Sequence, residues 1–293
     1  MKIPRRQLRA GSIQAPGTNL ELRNNLMSFR AFAIDLDGTL LVGEEVPEEN
    51  IRALQKAHGE GFQVMIATAR WVQMAQRVED QIGIKGLVIA CSGAQVHDPE
   101  TGTDVFDERL PEDFVRELYE ICDSDRCVAT VTVSDEVLLK LDGEPDHSQV
   151  PKEMRWVPKL TGAADSLPRV AVIQGSLINK RIRDELMGRY GDQVLFLNSI
   201  GPTGKTLLTL TSARASKGDA LNAACNHLGI TPEQVVAFGD SENDIEMFKA
   251  AGAAVAMGQA DEHTKAEATH VTGRNDEAGV AQAVYRILET GSP

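Results

Sequence analysis

The sequence predicts an α/β protein, a doubly wound parallel sheet with an α+β module inserted into it. From Phe32 onward, short uninterrupted apolar runs alternate with amphipathic stretches, the pattern of strands covered by helices on both faces. The same alternation resumes in the C-terminal third. Between the two, across roughly 94–204, it gives way to hairpin-like pairs and proline-punctuated loops.

Taken in order, "FRAFAID" predicts a buried strand and "VPEENIRALQKAHGEG" a helix closed by glycine. "FQVMIATA" follows as a strand, "RWVQMAQRVEDQIGI" as a helix and "GLVIACSGA" as a third strand. "AQVHDPETGTDVFDERL" predicts a hairpin around Glu100-Thr101-Gly102, and "PEDFVRELYEICDS" a helix. "CVATVTVSDEVLLKL" predicts a second antiparallel pair, and "RVAVIQG" a strand leading into another helix. Past "TLLTLT", "KGDALNAACNHLGI" predicts a helix, "QVVAFGD" a strand and "SENDIEMFKAAG" a helix. "AAVAM", a helix from Asp261, "THVT" and a final helix over "EAGVAQAVYRILE" complete the pattern. The expected division is an extension without fixed structure over 1–28, a core over 29–93 and 205–293, and the insert over 94–204.

The formal net charge is −13 over 293 residues, but the first 30 carry +5, so the remainder stands at −18. That balance argues against a nucleic-acid surface and is compatible with recruiting divalent cations. Cys91, Cys122, Cys127 and Cys225 lack paired metal-ligand spacing and are expected to be reduced thiols. No apolar run approaches the roughly 20 residues that span a bilayer, and the basic N-terminus lacks the apolar stretch of a secretory signal. The expected location is the cytoplasm, away from membranes. Met27 is an alternative natural start.

In "AIDLDGTLL" an apolar run ends in Asp35 and Asp37, with Gly38 and Thr39 behind them. Two carboxylates at the mouth of a buried strand repel unless a cation or a reaction uses them. Strand ends of this kind open onto the crevice where such sheets bind ligands. Three more segments place polar groups at strand ends or helix starts: "IATAR" with Thr68, "SKGDAL" with Lys217, and "AFGDSENDIEMF" with Asp240, Asn243 and Asp244. Singly, Thr68 could cap a helix, Lys217 sit in solvent and Asp240 favour a helix N-terminus. Together on one sheet edge they point to phosphoryl chemistry with a divalent metal.

"DLDGTLL", "ATAR", "SKGDAL" and "GDSENDIEMF" resemble, in order, the four motifs of the haloacid dehalogenase superfamily. "VAFGDSENDIEMFKAAGAAVAMGQA" with "KAEATHVTGRNDEAGV" is similar to the C-terminal part of its Cof-like branch, type IIB. The resemblance covers about 31–94 and 205–290. It implies a Rossmann-like core with a C2-type cap. The spacing agrees: 33 residues separate Asp35 from Thr68, while 149 separate Thr68 from Lys217, room for a folded lid after the third strand. By resemblance, Asp35 is the nucleophile that becomes an aspartyl-phosphate and Asp37 the general acid and base. Mg²⁺ is held by Asp35, the Asp37 carbonyl and Asp240. Thr68, Lys217 and Asn243 grip the phosphoryl group, and Asp244 supports them from behind. The implied activity is a Mg²⁺-dependent phosphatase acting on a small phosphorylated metabolite, a sugar phosphate or similar monoester. A phosphomannomutase-type mutase and a non-catalytic phosphometabolite sensor are the alternatives.

Several positions depart from the family pattern. Thr68-Ala69-Arg70 stands where Thr-Gly-Arg is common, Ser92-Gly93-Ala94 where Asn-Gly-Ala is common, and Thr209 where glutamate is frequent. An asparagine is also common near Gln259. Arg70, Ser92 and Gly93 are candidate substrate contacts, with Trp71 facing either cap or core. "GPTGKT" at 201–206 resembles the end of a P-loop, but Ser199 occupies the leading glycine position and a strand-like run follows. The histidines show no ligand spacing; His97 is a weak candidate for a cap residue.

Overall fold

The computed structural model describes residues 29–293 apart from 135, 147, 149 and 201–203. The expectation for 1–28 lies outside the described residues. In chain order, β1 (Ala31–Ile34), α1 (Glu48–Gly59), β2 (Gln63–Ala67), α2 (Val72–Ile82) and β3 (Val88–Ala90) are followed by the hairpin β4 (Gln95–Asp98) and β5 (Thr103–Asp107). Next come α3 (Glu112–Ser124), β6 (Val128–Val133), β7 (Glu136–Lys140), β8 (Met154–Trp156), β9 (Val170–Gln174) and α4 (Ser176–Ile182). Then follow β10 (Val194–Ile200), β11 (Thr206–Ser212), α5 (Lys217–Leu228), β12 (Val235–Gly239), α6 (Ile245–Ala250) and β13 (Ala253–Ala256). The chain ends with α7 (Glu262–Glu267), β14 (His270–Val271) and α8 (Gly279–Thr290).

The strands form two sheets. The first has the order β14-β13-β12-β1-β2-β3-β4-β5 and is parallel from β14 to β3. β1 explains the continuous apolar run: Phe32 and Ile34 enter the cluster with Leu54, Val78 and Val284 of α1, α2 and α8. Ala31 and Ala33 enter the opposite cluster with Leu221 and Met247 of α5 and α6. Both faces are thus buried, as a doubly wound sheet requires. Chain order reverses between β1 and β12, so their carboxyl ends flank the crevice.

The second sheet has the order β10-β11-β9-β6-β7-β8, antiparallel except for β7 with β8. Helices α3 and α4 cover one of its faces through Phe114, Leu118, Ile178 and Ile182. The strand pairing moves the expected boundaries of 94 and 204. The hairpin β4–β5 belongs to the first sheet, because the tight turn at Cys91–Gly93 sends the chain back along β3, pairing Ile89 with Val96. β11 in turn belongs to the second sheet, between β9 and β10. The inserted module therefore lies between Asp107 and Ala213. A hairpin pattern reads alike whichever sheet it extends, so sequence could not assign it. β11 is a strand where a P-loop would need a helix.

Buried Arg169, just before β9, joins the modules. Its guanidinium donates to Asp104 and Asp107 of β5, each at 2.7 Å, and to the Ser134 carbonyl at 2.6 Å. At the opposite rim, Arg77 of α2 pairs with Glu153 at 2.8 Å.

Candidate active site

The expected residues converge on the carboxyl edge of the first sheet. Asp35 follows β1 directly and its N–H donates to the Phe238 carbonyl of β12 at 3.0 Å, which fixes the two strand ends side by side. The loop then folds back, Leu40 N–H donating to the Asp35 carbonyl at 3.2 Å. Gly38 sits at the fold with φ +82°, and a Cβ there would overlap the Asp240 carboxylate. Glycine is needed both for the backbone conformation and for that approach.

Lys217 is the first residue of α5, whose N-terminus is capped by the Ser216 hydroxyl accepting the Asp219 N–H at 3.0 Å. Its ammonium is buried and donates to Asp35 Oδ1 and Asp244 Oδ1, both at 2.6 Å. Gly93 lets the helix start come close, since a Cβ there would overlap the Ser216–Lys217 backbone. Asp244 Oδ2 accepts the N–H groups of Asp240 and Ser241 at 3.0 and 3.1 Å. Asp244 is thus occupied in shaping the turn and holding the lysine.

Asp35, Asp240 and Asp244 each bring a carboxylate oxygen within 4.8 Å of the others. Asp240 Oδ1 is buried and accepts from no protein donor. Three carboxylates face one ammonium, an excess of negative charge in low dielectric. Burial, followed by the charge of Asp244, raises the Asp240 carboxyl to about 6. Burial also lifts Asp35 to about 8 against the pull of Lys217, with Asp244 and Asp240 adding to the rise. Burial alone would lower Lys217, but the two carboxylates outweigh it and hold the amine above its ordinary range. An oxygen-lined, electron-rich pocket with an unpartnered oxygen suits a hard divalent cation such as Mg²⁺.

Asp37 points elsewhere. Arg70, two residues past Thr68, grips it with Nε on Oδ2 at 2.9 Å and Nη2 on Oδ1 at 2.5 Å. The same guanidinium holds Glu44 at 2.6 and 3.0 Å. Thr68 is buried after β2, its Oγ1 accepting the Arg70 N–H at 3.1 Å while its own proton stays available. Ser92 stands in the left-handed region at φ 58° and donates its N–H to the Thr68 carbonyl at 3.1 Å. Asn243 is exposed on the turn after β12, its Oδ1 accepting from the Ser241 hydroxyl at 2.7 Å. The structure thus gathers Asp35, Asp240, Asp244 and Lys217 tightly, pairs Asp37 with Arg70, and leaves Gly93 as a packing position.

Three residues at this edge escaped the sequence reading in their structural roles. Glu44 braces Arg70. Gln259 donates to the Gly38 carbonyl and accepts from the Asn275 N–H at 3.1 Å, and Asn275 donates to the Leu41 carbonyl at 2.9 Å. Together they tie the loop after β1 to the far end of the chain. Only the departure at Gln259 hinted at them. His97 lies on β4 of the first sheet, paired with Asp104 at 2.9 Å, and so is no cap residue. Among the described residues, no helix is long and apolar enough to cross a membrane.

Comparison with known proteins draws on the same segments. A family model for haloacid dehalogenase-like hydrolases matches residues 32–284. The phosphatase YwpJ of Bacillus subtilis is 30% identical over 288 residues, covering 88% of this chain and all of that protein. The pyridoxal phosphate phosphatase YbhA of Escherichia coli is 27% identical, covering 89% and 100%. A haloacid dehalogenase-like hydrolase from Bacteroides thetaiotaomicron superposes with a TM-score of 0.77 at 25% identity, covering 88% of this chain and 99% of that one. The matched span includes every residue that meets at the sheet edge, and the chain belongs to the haloacid dehalogenase-like hydrolases, as a Cof-like phosphoric monoester hydrolase.

Proposed function

We propose that this enzyme hydrolyses the phosphate monoester of a small metabolite through an aspartyl-phosphate on Asp35. The observation that carries this reading is the division of labour between two carboxylates two residues apart. Asp35 is buried and oriented by Lys217, whereas Asp37 is turned outward and held by Arg70. A nucleophile needs the buried, oriented position, and an acid–base group needs the outward one, within reach of the leaving oxygen and of water.

In the proposed sequence an Asp35 oxygen attacks phosphorus as the ester P–O bond breaks. Asp37, once one of its oxygens is released from Arg70 and has taken up a proton, gives that proton to the departing alkoxide. Asp37 then takes a proton from water, whose oxygen attacks the acyl phosphate, returning Asp35 as a carboxylate and releasing phosphate. Lys217 and the Thr68 hydroxyl supply donors for the phosphoryl oxygens, and Asn243 offers a further one from the rim. Asp35, Asp240 and the Asp37 carbonyl would hold Mg²⁺, with Asp244 behind them. When bound, the ion supplies charge neutralisation for the phosphoryl oxygens and for the crowded carboxylates. The inserted module serves as a cap that excludes bulk water from the edge.

The test is phosphate release from a panel of small phosphomonoesters, with Mg²⁺ and with chelator, using wild type and Asp35→Asn. Chelator-sensitive release that vanishes in the variant supports the reading. Release that persists in folded Asp35→Asn overturns the nucleophile.

A further inference from the structure

The second sheet turns two unlike faces outward. One packs on α3 and α4. The other looks towards the first module: Val170 enters the apolar cluster that contains Cys91, Ala94 and Ala215, and Val172 packs against it, as does Trp71. These neighbours adjoin Arg70, Gly93 and Lys217 in sequence, and β11 runs from this face through Ala213–Ser216 into Lys217. The face is therefore the roof over the carboxylate edge.

Its composition follows from the strand register. Thr130, Val172, Thr209 and Leu197 lie opposite one another in one row across β6, β9, β11 and β10. The first three are half-buried and Leu197 is exposed, so the row is open to the cleft. The adjoining rows add only threonine, aliphatic, serine and glutamine side chains. Across these four strands, this face presents no Lys, Arg, Asp or Glu. Below it, Lys217 is committed to Asp35 and Asp244, and Arg70 to Asp37 and Glu44.

Resting on the phosphatase reading above, we propose that the substrate is a monophosphate whose alcohol part carries no second anionic group. A second phosphate or a carboxylate lodged against this roof loses part of its water and meets no cation on these four strands, so its charge is left unpaired there. An uncharged alcohol fits: the threonine hydroxyls both donate to and accept from its polar groups, and the aliphatic side chains cover its carbon frame. The same roof lacks what a phosphomutase requires, a second cationic cluster to hold the far phosphate of a bisphosphate.

The experiment compares kcat/KM within matched pairs that differ by one anionic group: fructose 6-phosphate with fructose 1,6-bisphosphate, and glycerol 3-phosphate with 3-phosphoglycerate. Wild type should prefer the uncharged-alcohol member of each pair by about tenfold or more. Thr209→Lys should narrow or reverse that preference, chiefly through a lower KM for the anionic member. Leu197→Lys, at an exposed position that tolerates a lysine, repeats the measurement should Thr209→Lys fail to fold. Asp35→Asn is the control that separates the two layers. Asp35-dependent hydrolysis that favours the anionic members overturns the roof proposal and leaves the phosphatase reading standing. Hydrolysis of no member, or hydrolysis independent of Asp35, overturns both.

Discussion

At the residue scale the decisive group is Lys217, one ammonium among three carboxylates. Removing it in Lys217→Met leaves Asp35 and Asp244 buried without their cation, and should cost about 3–5 kcal/mol in denaturant unfolding as well as activity. Asp35→Asn removes a carboxyl whose charged form burial opposes, so its fold should persist while turnover falls by about 10⁴-fold or more. Proton linkage gives a third expectation. Asp240 retains its proton up to about 6 and Asp35 up to about 8 in the metal-free protein. On the proposed reading a Mg²⁺ ion entering the site would expel those protons, so its affinity should climb as pH rises through that window and level off above it. Calorimetric titration in two buffers of different ionisation enthalpy should register proton release that shrinks towards the top of the window; a flat affinity between pH 6 and 8 would contradict the assignment. The raised values also mean that these two groups weaken the metal-free fold as pH climbs from the ordinary carboxylate value of 3.8, because the unfolded chain gives up its protons first.

At the element scale, the proposed function draws on the turns after β1, β2, β3 and β12 and on the first residue of α5. Arg70, at the end of the β2 turn, holds both oxygens of Asp37. Arg70→Met should lower kcat by about 10- to 100-fold through misplacement of Asp37, and Arg70→Lys should restore only part of it because an ammonium lacks the fork. The pH profile of kcat should shift with the variant, which simple loss of packing would not produce. The strands and helices were legible in the sequence because each is a simple period bounded by glycine, proline or a cap, as in "QVVAFGD" or "SKGDAL". The convergence of Asp35, Asp240 and Lys217 was legible because their motifs stand in order at strand ends and a helix start along one sheet edge. Glu44, Gln259 and Asn275 were not. Their roles depend on hydrogen bonds between segments up to 234 residues apart, for which local pattern carries no trace.

At the scale of the whole molecule, the two sheets meet through polar contacts beside the linkers and at one rim, and through Val170 and Val172, which pack on the apolar cluster of the first module. Sequence spacing announced an insert, and the strand pairing puts the change of sheet after Asp107 and before Ala213, since neither the β4–β5 hairpin nor β11 declares in sequence which sheet it joins. Arg169, buried on the insert and bound to two carboxylates of β5, fixes the seat of the cap. Arg169→Leu should leave Asp104 to His97 and Gln95 and Asp107 to Arg109, unseat the cap and lower the unfolding midpoint. Severing Arg77–Glu153 with Glu153→Gln should leave stability within about 0.5 kcal/mol, because both partners are solvated.

The chain leaves the first module after Asp107 and re-enters it at Ala213, and the two crossings are joined by the ion pair of Glu108 with Arg214 at 3.1 Å. Topologically the whole insert is a closed loop whose ends already touch, so exchanging it for another folded unit adds little chain-closure entropy to the host. The host would nevertheless keep Asp104 and Asp107 exposed on its outermost strand. A transplanted cap that brings a guanidinium to that strand thus restores the native seat, whereas one without it leaves Asp104 to the host's own His97 and Gln95 and docks more loosely.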